Sequence, residues 1–252
     1  MKICVLAKQV PDKNSPIELS DTKISLNSPV LITNESDGYA IEEAIQIKER
    51  LGAEVVICSL GPETSKQTIK DALSKGADRG IHIPHENANS LDPLVQGKII
   101  AESIRDENFD IVLSGLQSDD SGNGQIGIIV AEYLSMSHAS LCMELDTSET
   151  GTVKVKRELE SGWFQWTDLQ YPAAVTIQSG INKPRYASLK GIMMMKKKPI
   201  DTVEPSSQYK NRLETISSYV PVKSKETTFI DGSPDEVADK IISIIKNDMA
   251  LI

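Results

Sequence analysis

Asp110-Ile111-Val112-Leu113-Ser114-Gly115-Leu116-Gln117-Ser118-Asp119-Asp120-Ser121-Gly122-Asn123-Gly124-Gln125-Ile126-Gly127 decides how this sequence is read. Its first six residues are a short apolar run closed by glycine, the pattern of a strand buried on both faces. The rest is a polar, glycine-rich loop that runs into a helical pattern over residues 124–134. A strand that empties through such a loop into a helix is the unit of a parallel α/β sheet, whose carboxyl edge is where ligands bind. Glycines let backbone approach a ligand closely, and the first N–H groups of a helix are unpaired donors with a partial positive charge. That arrangement suits a phosphate, while the hydroxyl and amide side chains suit ribose or base. Asp119 and Asp120 would repel a phosphate, so they are expected to point away, cap the helix or accept from ribose hydroxyls. The loop is neither a Walker loop nor a GxGxxG fingerprint. A plain helix cap after a turn accounts for it equally well.

The same alternation extends toward the N-terminus. Residues 2–10 and 53–60 read as buried strands, and residues 37–51 as a helix with Ala40, Ile41, Ala44, Ile45, Ile47 and Leu51 near 3.6 spacing. Residues 63–74 read as a second helix closed by Gly76, 80–84 as a short strand, and 90–105 as a helix opened by Pro93. Asn34-Glu35-Ser36-Asp37 stands just before the first helix, as an N-cap or as a second wall of the same crevice. After Ser135 the grammar changes. Residues 152–159 alternate at period two, Glu160-Ser161-Gly162 is a turn, and 163–169 return as the second arm of an antiparallel hairpin. Residues 172–177 are one more buried strand, and 182–199 a loop with one helical turn. Residues 205–225 are polar and weakly periodic, an extended linker before a capping-box helix that starts at Ser233-Pro234-Asp235-Glu236. The expected architecture is therefore α/β: a doubly wound, mostly parallel, Rossmann-like sheet with an added antiparallel hairpin and an extended C-terminal arm ending in a helix. It divides into a nucleotide-binding domain over 1–204 and an arm over 205–252.

Bulk properties narrow the function. The chain has 252 residues, 39% hydrophobic and 25% charged, an ordinary globular composition. No run approaches the roughly 20 apolar residues of a membrane helix, and the start has too short an apolar core for a signal peptide. Cytoplasmic location and no direct membrane insertion are the expectation. A net charge of −9 argues against a nucleic-acid partner. Cys4, Cys58 and Cys142 form no CxxC pair and read as buried thiols. His82 and His85 lack an acidic or cysteine partner at ligand spacing, so no metal is expected. Against the acidic background, Lys183, Arg185, Lys190, Lys196, Lys197 and Lys198 crowd one stretch, together with Leu189, Ile192 and Met193-Met194-Met195. Methionine is common on adaptable binding surfaces and lysine steers acidic partners. Core methionines beside a solvated lysine face are the competing reading.

Several segments, in order and with intact spacing, resemble the beta subunit of electron transfer flavoproteins over nearly the whole chain. They are Val5-Leu6-Ala7-Lys8-Gln9-Val10-Pro11-Asp12, Ala40-Ile41-Glu42-Glu43-Ala44, Lys75-Gly76-Ala77-Asp78-Arg79-Gly80, Lys156-Arg157-Glu158, Pro172-Ala173-Ala174-Val175-Thr176 and Asn182-Lys183-Pro184-Arg185-Tyr186-Ala187-Ser188-Leu189-Lys190-Gly191-Ile192. The resemblance implies an electron carrier, not an enzyme alone. It pairs with a larger alpha subunit that holds most of one FAD. It takes electrons from flavin dehydrogenases of acyl-CoA or amine type and passes them to an acceptor such as a membrane-bound quinone oxidoreductase. It further implies AMP, bound structurally by Leu6, Asn34, Glu35, Ser36, Asp37, Leu60, Gly115, Leu116, Gln117, Ser118, Asp119, Asp120, Ser121, Gly122, Asn123, Gly124, Gln125 and Ile126. Leu116 stands where the family has a lysine, and Gly122-Asn123-Gly124 where it has a more acidic stretch, so phosphate binding rests on backbone N–H groups. Arg185, Tyr186, Leu189, Lys190 and Ile192 fall on the family's dehydrogenase-recognition loop, with Leu189 as anchor; this stretch is most similar to members serving amine-type dehydrogenases, such as trimethylamine dehydrogenase.

One branch of the family binds a second FAD in place of AMP, but Asn27-Ser28-Pro29-Val30-Leu31-Ile32-Thr33 does not look like that branch's segment. A stand-alone nucleotide-binding stress or signalling module shares the α/β grammar but lacks the hairpin, basic loop and arm. An ATP-using synthetase needs a Ser/Gly-rich phosphate loop and a metal carboxylate; Asp119-Asp120 is the only candidate pair, and no catalytic Lys or Ser accompanies it.

Overall fold

The computed structural model describes residues 1–20, 23–26, 29–205, 209–221 and 227–249. Asn27 and Ser28, which bear on the second-FAD reading, lie outside the described residues, as do 206–208, 222–226 and 250–252 of the arm. From the N-terminus the elements are β1 (Lys2–Leu6), β2 (Gln9–Pro11), β3 (Ile17–Ser20), β4 (Lys23–Leu26), β5 (Leu31–Thr33), α1 (Glu35–Leu51), β6 (Glu54–Gly61), α2 (Lys66–Lys75), β7 (Arg79–Pro84) and α3 (Pro93–Ile104). They continue with β8 (Ile111–Gly115), α4 (Ile126–Tyr133), β9 (Ser137–Asp146), β10 (Thr152–Glu158), β11 (Phe164–Gln170), β12 (Ala173–Ile177), α5 (Leu189–Met195), β13 (Ile200–Thr202) and α6 (Pro234–Ser243).

Nine strands form one sheet in the order β11-β10-β9-β12-β8-β1-β6-β7-β13. From β9 to β13 the neighbours run parallel, and β10 and β11 extend the β9 edge through antiparallel pairings. Because side chains alternate across a strand, β1 sends Ile3 and Val5 to one face and Cys4 and Leu6 to the other. The first pair packs under Ile41, Ile45, Ile69 and Leu73 of α1 and α2. The second packs against Ile99, Ile100, Ile104, Val130 and Ala131 of α3 and α4. Ile57 on β6 is fully buried in the first layer, so Ile57→Ala should cost about 2–5 kcal/mol. All three cysteines are free and buried.

The helix ends follow their local chemistry. Gly52 ends α1 in the left-handed region, φ 70°, and donates to Lys48 O. Asp92 caps α3 by accepting from Val95 N at 2.8 Å, with Pro93 at the first helical position. Ser233 and Glu236 form the expected capping box of α6.

Four features differ from the sequence-based expectation. The run over residues 2–10 is broken at Ala7 and Lys8, and β2 pairs with β5 in a separate two-stranded sheet. Ser137–Asp146 is a strand, β9, so the expected hairpin is the outer part of a three-stranded extension. β3 pairs with β4 in a hairpin of its own, and β13 adds an edge strand. The basic loop contains α5, two turns rather than one.

The start of the arm lies along α3. Asp92 accepts from the Arg212 amide at 2.5 Å, Asn211 Nδ2 donates to Ser90 O at 2.7 Å, and Tyr209 hydrogen-bonds Glu102. Beyond it α6 buries none of its residues.

Candidate functional site

The carboxyl ends of β1, β6 and β8 open into a cleft. Leu6, Ala7, Cys58, Leu60, Ile100, Leu116 and Ile126 supply apolar lining, and Lys8, Asn34, Asp37, Gln96, Ser114 and, from the β8–α4 loop, Gln117, Ser118, Ser121, Asn123 and Gln125 supply polar lining.

The entry to α1 and the β8–α4 loop are bonded to each other. Asn34 Nδ2 and the Ser36 hydroxyl both donate to Gln117 O, at 3.0 and 2.5 Å, and the Asp119 amide donates to Asn34 Oδ1 at 3.0 Å. Asp37 accepts from the Lys8 amide at 2.8 Å and the Gly115 amide at 2.9 Å, tying the ends of β1 and β8 to α1. Burial pushes the Asp37 carboxyl up to about 6, against the pull of those two amides. Gly115 is required by the closeness of this joint: a Cβ there would lie 2.3 Å from Ser36 Oγ and 2.5 Å from Asp37 Oδ1. Gly127 is required likewise, since a Cβ would lie 2.4 Å from Ser114 Oγ and 2.7 Å from Thr176 Cγ2.

On the ligand side, α4 begins without a side-chain cap. Its first amides are donors left open by helix geometry, and its dipole favours an anion. Ser114 is 6% exposed, lines the cleft, and its hydroxyl has no partner among the described residues. A buried polar atom without a partner calls for one, which water or a ligand atom can supply. Both observations fit the phosphate and ribose hydroxyls of an adenine nucleotide. The two loop carboxylates are accounted for: Asp120 pairs with Lys8 at 2.7 Å, and Asp119 accepts from the Glu35 amide at 3.3 Å, at the start of α1. Lys8 is thereby held at the cleft as its cation.

Of the residues expected at a nucleotide, Leu6, Asn34, Asp37, Leu60, Gly115, Leu116, Gln117, Ser118, Ser121, Asn123, Gly124, Gln125 and Ile126 line the cleft. Glu35, Ser36, Asp119, Asp120 and Gly122 are not among the lining residues; Ser36, Asp119 and Asp120 brace the lining through the bonds above. Sequence reasoning did not name Lys8, Cys58, Gln96, Ile100, Ser114 or Gly127 as lining. Gln96 and Ile100 were within reach, since i,i+4 spacing puts both on one face of a helix whose start lies at the ligand edge.

The second expected site is the loop carrying α5. Its feet are fixed. Asn182 Nδ2 donates to Tyr39 O and Glu43 Oε2, both at 3.0 Å, and Lys198 Nζ donates to Leu73 O at 2.9 Å and Ala77 O at 2.5 Å. Arg185 is bidentate to both Glu42, at 2.8 and 3.0 Å, and Glu49, at 2.5 and 2.9 Å. Burial alone would raise the Glu42 carboxyl, but Arg185 outweighs it and holds the group below its ordinary value. Arg185 thus anchors the loop to α1. The apex is apolar and open: Tyr186 is 96% exposed and Leu189 84%, with Met193 and Ile192 beside them. Ser188 caps α5 through the Gly191 amide at 3.0 Å.

Among the described residues, no helix is long and apolar enough to cross a membrane. The electron transfer flavoprotein domain profile matches residues 27–208. The chain is 36% identical over 261 residues to the electron transfer flavoprotein subunit beta of Methylophilus methylotrophus, spanning 97% of this chain and 98% of the other. Over 259 residues and the full length of both chains it is 30% identical to the subunit of that name from Bacillus subtilis. To the human subunit of that name it is 35% identical over 205 residues, 79% of this chain and 80% of the other.

Proposed function

The chain belongs to the electron transfer flavoprotein family, as a beta subunit, and from that premise we propose that it binds AMP in the cleft and works as half of a heterodimer with a larger alpha subunit. The observation that carries the nucleotide reading is the meeting of an uncapped α4 with the unpartnered, buried Ser114 hydroxyl at the cleft. The α4 amides and the Lys8 ammonium face the phosphate, Ser114 completes a ribose or phosphate oxygen, and the apolar strip takes the base. AMP does no chemistry there. It joins two walls that otherwise meet through the bonds made by Asn34, Glu35, Ser36 and Asp37.

The electron-accepting group of the heterodimer is FAD, held mainly by the alpha subunit. This chain contributes surfaces. Its α5 apex docks a flavin dehydrogenase of acyl-CoA or amine type through Leu189, with Tyr186, Lys190 and Ile192 around it and Arg185 anchoring the loop. Its arm wraps the alpha subunit. Electrons pass on to an acceptor such as a quinone oxidoreductase, and the heterodimer works in the cytoplasm. The test is co-expression with the alpha subunit. A yellow heterodimer that is reduced by a flavin dehydrogenase is expected; a colourless monomer under those conditions overturns the proposal.

A further inference from the structure

We propose that Met193 is an oxidation site: hydrogen peroxide converts its thioether to the sulfoxide, and the polar sulfoxide weakens docking at the α5 apex. The inference rests on the reading of that apex as a docking surface and adds a means of turning it down.

The chain has seven methionines, and Met193, 72% exposed, is the most open of them. Its neighbours differ: Met194 is 45% exposed, and Met195 packs against the core. The seating of α5 explains the gradient. Residues four apart share a helix face and residues two apart point nearly oppositely, so positions 191 and 195 lie on one face and Leu189 and Met193 on the other. Gly191 lies so close to α2 that a Cβ there would run into the Ser74 carbonyl oxygen. Every other residue of α5 carries a Cβ, so rolling the helix to turn Met193 inward would bring one against Ser74. Met193 is therefore held in solvent, one helical turn from Leu189. The chemistry balances. Sδ attacks one oxygen of the peroxide, the O–O bond breaks, and the sulfide is oxidised to the sulfoxide. The other oxygen takes the proton of the transferred one and leaves as water. Docking must then desolvate a polar group beside Leu189 and Ile192, which forfeits the gain from burying an apolar side chain. The lesion is reversible, since methionine sulfoxide reductases restore the thioether.

The measurement uses the full heterodimer, with trimethylamine dehydrogenase and an acyl-CoA dehydrogenase as electron donors. The half-saturating carrier concentration is compared before and after limited treatment with hydrogen peroxide, and sulfoxides are located by peptide mass spectrometry. In the wild type, sulfoxide should accumulate at Met193 ahead of Met195, and half-saturation should rise about tenfold. Thermal unfolding should not change, and methionine sulfoxide reductase with dithiothreitol should reverse the rise. In Met193→Leu the treated and untreated values should stay within about twofold of each other, while Met194→Leu should keep the full rise. A Met193→Leu chain that remains peroxide-sensitive, or an oxidised wild type that docks as before, overturns the role of Met193. Reduction by neither donor, or a half-saturating concentration that Leu189→Ala leaves unchanged, overturns the docking reading itself, and so separates the two failures.

Discussion

The cleft and the α5 loop are both built from a rigid joint to α1, but they use it in opposite ways. At the cleft, Asn34, Ser36 and Asp37 are buried and turned inward, bonding the β8–α4 loop so that its amides are pre-positioned. At the loop, Asn182 and Arg185 bond the feet to α1 and leave Tyr186, Leu189 and Met193 in solvent. The first arrangement suits a ligand that stays, because the cost of ordering is met by the protein before binding. The second suits a partner that leaves: one apolar anchor gives affinity, and a lysine rim sets encounter rate and salt dependence. The arm goes further, with Ile216, Tyr219, Val220 and Phe229 all exposed and no buried residue in α6. Such an apolar surface on an extended segment fits the wrapping of an alpha subunit proposed above.

The largest effect expected is on the arm. Truncation after Glu204 should leave a folded domain that no longer forms a stable heterodimer, read by size-exclusion chromatography of the co-expressed subunits. A truncated chain recovered with the alpha subunit at full yield would break the contrast between arm and body. Next is the cleft joint. Gly115→Ala places a Cβ 2.3 Å from Ser36 Oγ, and the resulting overpacking should cost about 1–3 kcal/mol in chemical unfolding and empty the nucleotide site. Wild-type stability and nucleotide content in this variant would show the two walls to be less closely fitted than described.

The loop should respond differently. Burying a leucine is worth about 1.5–3 kcal/mol, so Leu189→Ala should raise the half-saturating carrier concentration for dehydrogenase turnover roughly ten- to a hundredfold. Folding and flavin content should not change, since the side chain is exposed. Arg185→Ala should weaken docking as well, but with a measurable fall in melting temperature, because it leaves the buried Glu42 carboxylate without its cation. If both variants changed stability equally, the division between anchored feet and free apex would be wrong.

A further effect is in pH. Asp37 titrates near 6 where an ordinary aspartic acid titrates near 3.8, so the folded state holds this proton more tightly than the unfolded chain. By linkage, this group's contribution favours the fold most below about 4 and diminishes as pH rises to about 6. The Lys8 and Gly115 amide resonances should shift together with a midpoint near 6; a midpoint near 4 would mean that Asp37 is not buried at the joint.

Much of this was legible in the sequence, for physical reasons. Buried parallel strands are near-continuous apolar runs, so β6, β7, β8 and β12 announce themselves, and Asp92, Pro93 and the Ser233–Glu236 box mark helix starts. β9 was not legible, because Leu141 adopts a φ of 60° and the register against β12 slips there, which interrupts the alternation a strand is read from. β3 and β4 form only a two-stranded hairpin outside the main sheet and lack a strong pattern. At the site, the glycine-rich loop was identified from its own residues. The bracing role of Asn34, Ser36 and Asp37 was not, since a side chain that bonds the opposite wall has the same sequence signature as one that bonds a ligand. Ser114 and Gln96 were missed for the converse reason: one looks like the end of a strand and the other like a helix surface, and only the closure of α3 and α4 over the sheet edge makes them neighbours of one cavity.

The most direct test of the account is the nucleotide content of the purified heterodimer after denaturation, separated by chromatography. The account predicts one AMP from the cleft of this chain and one FAD for each heterodimer. Two FAD and no AMP, or no adenine nucleotide beyond a single FAD, would contradict it.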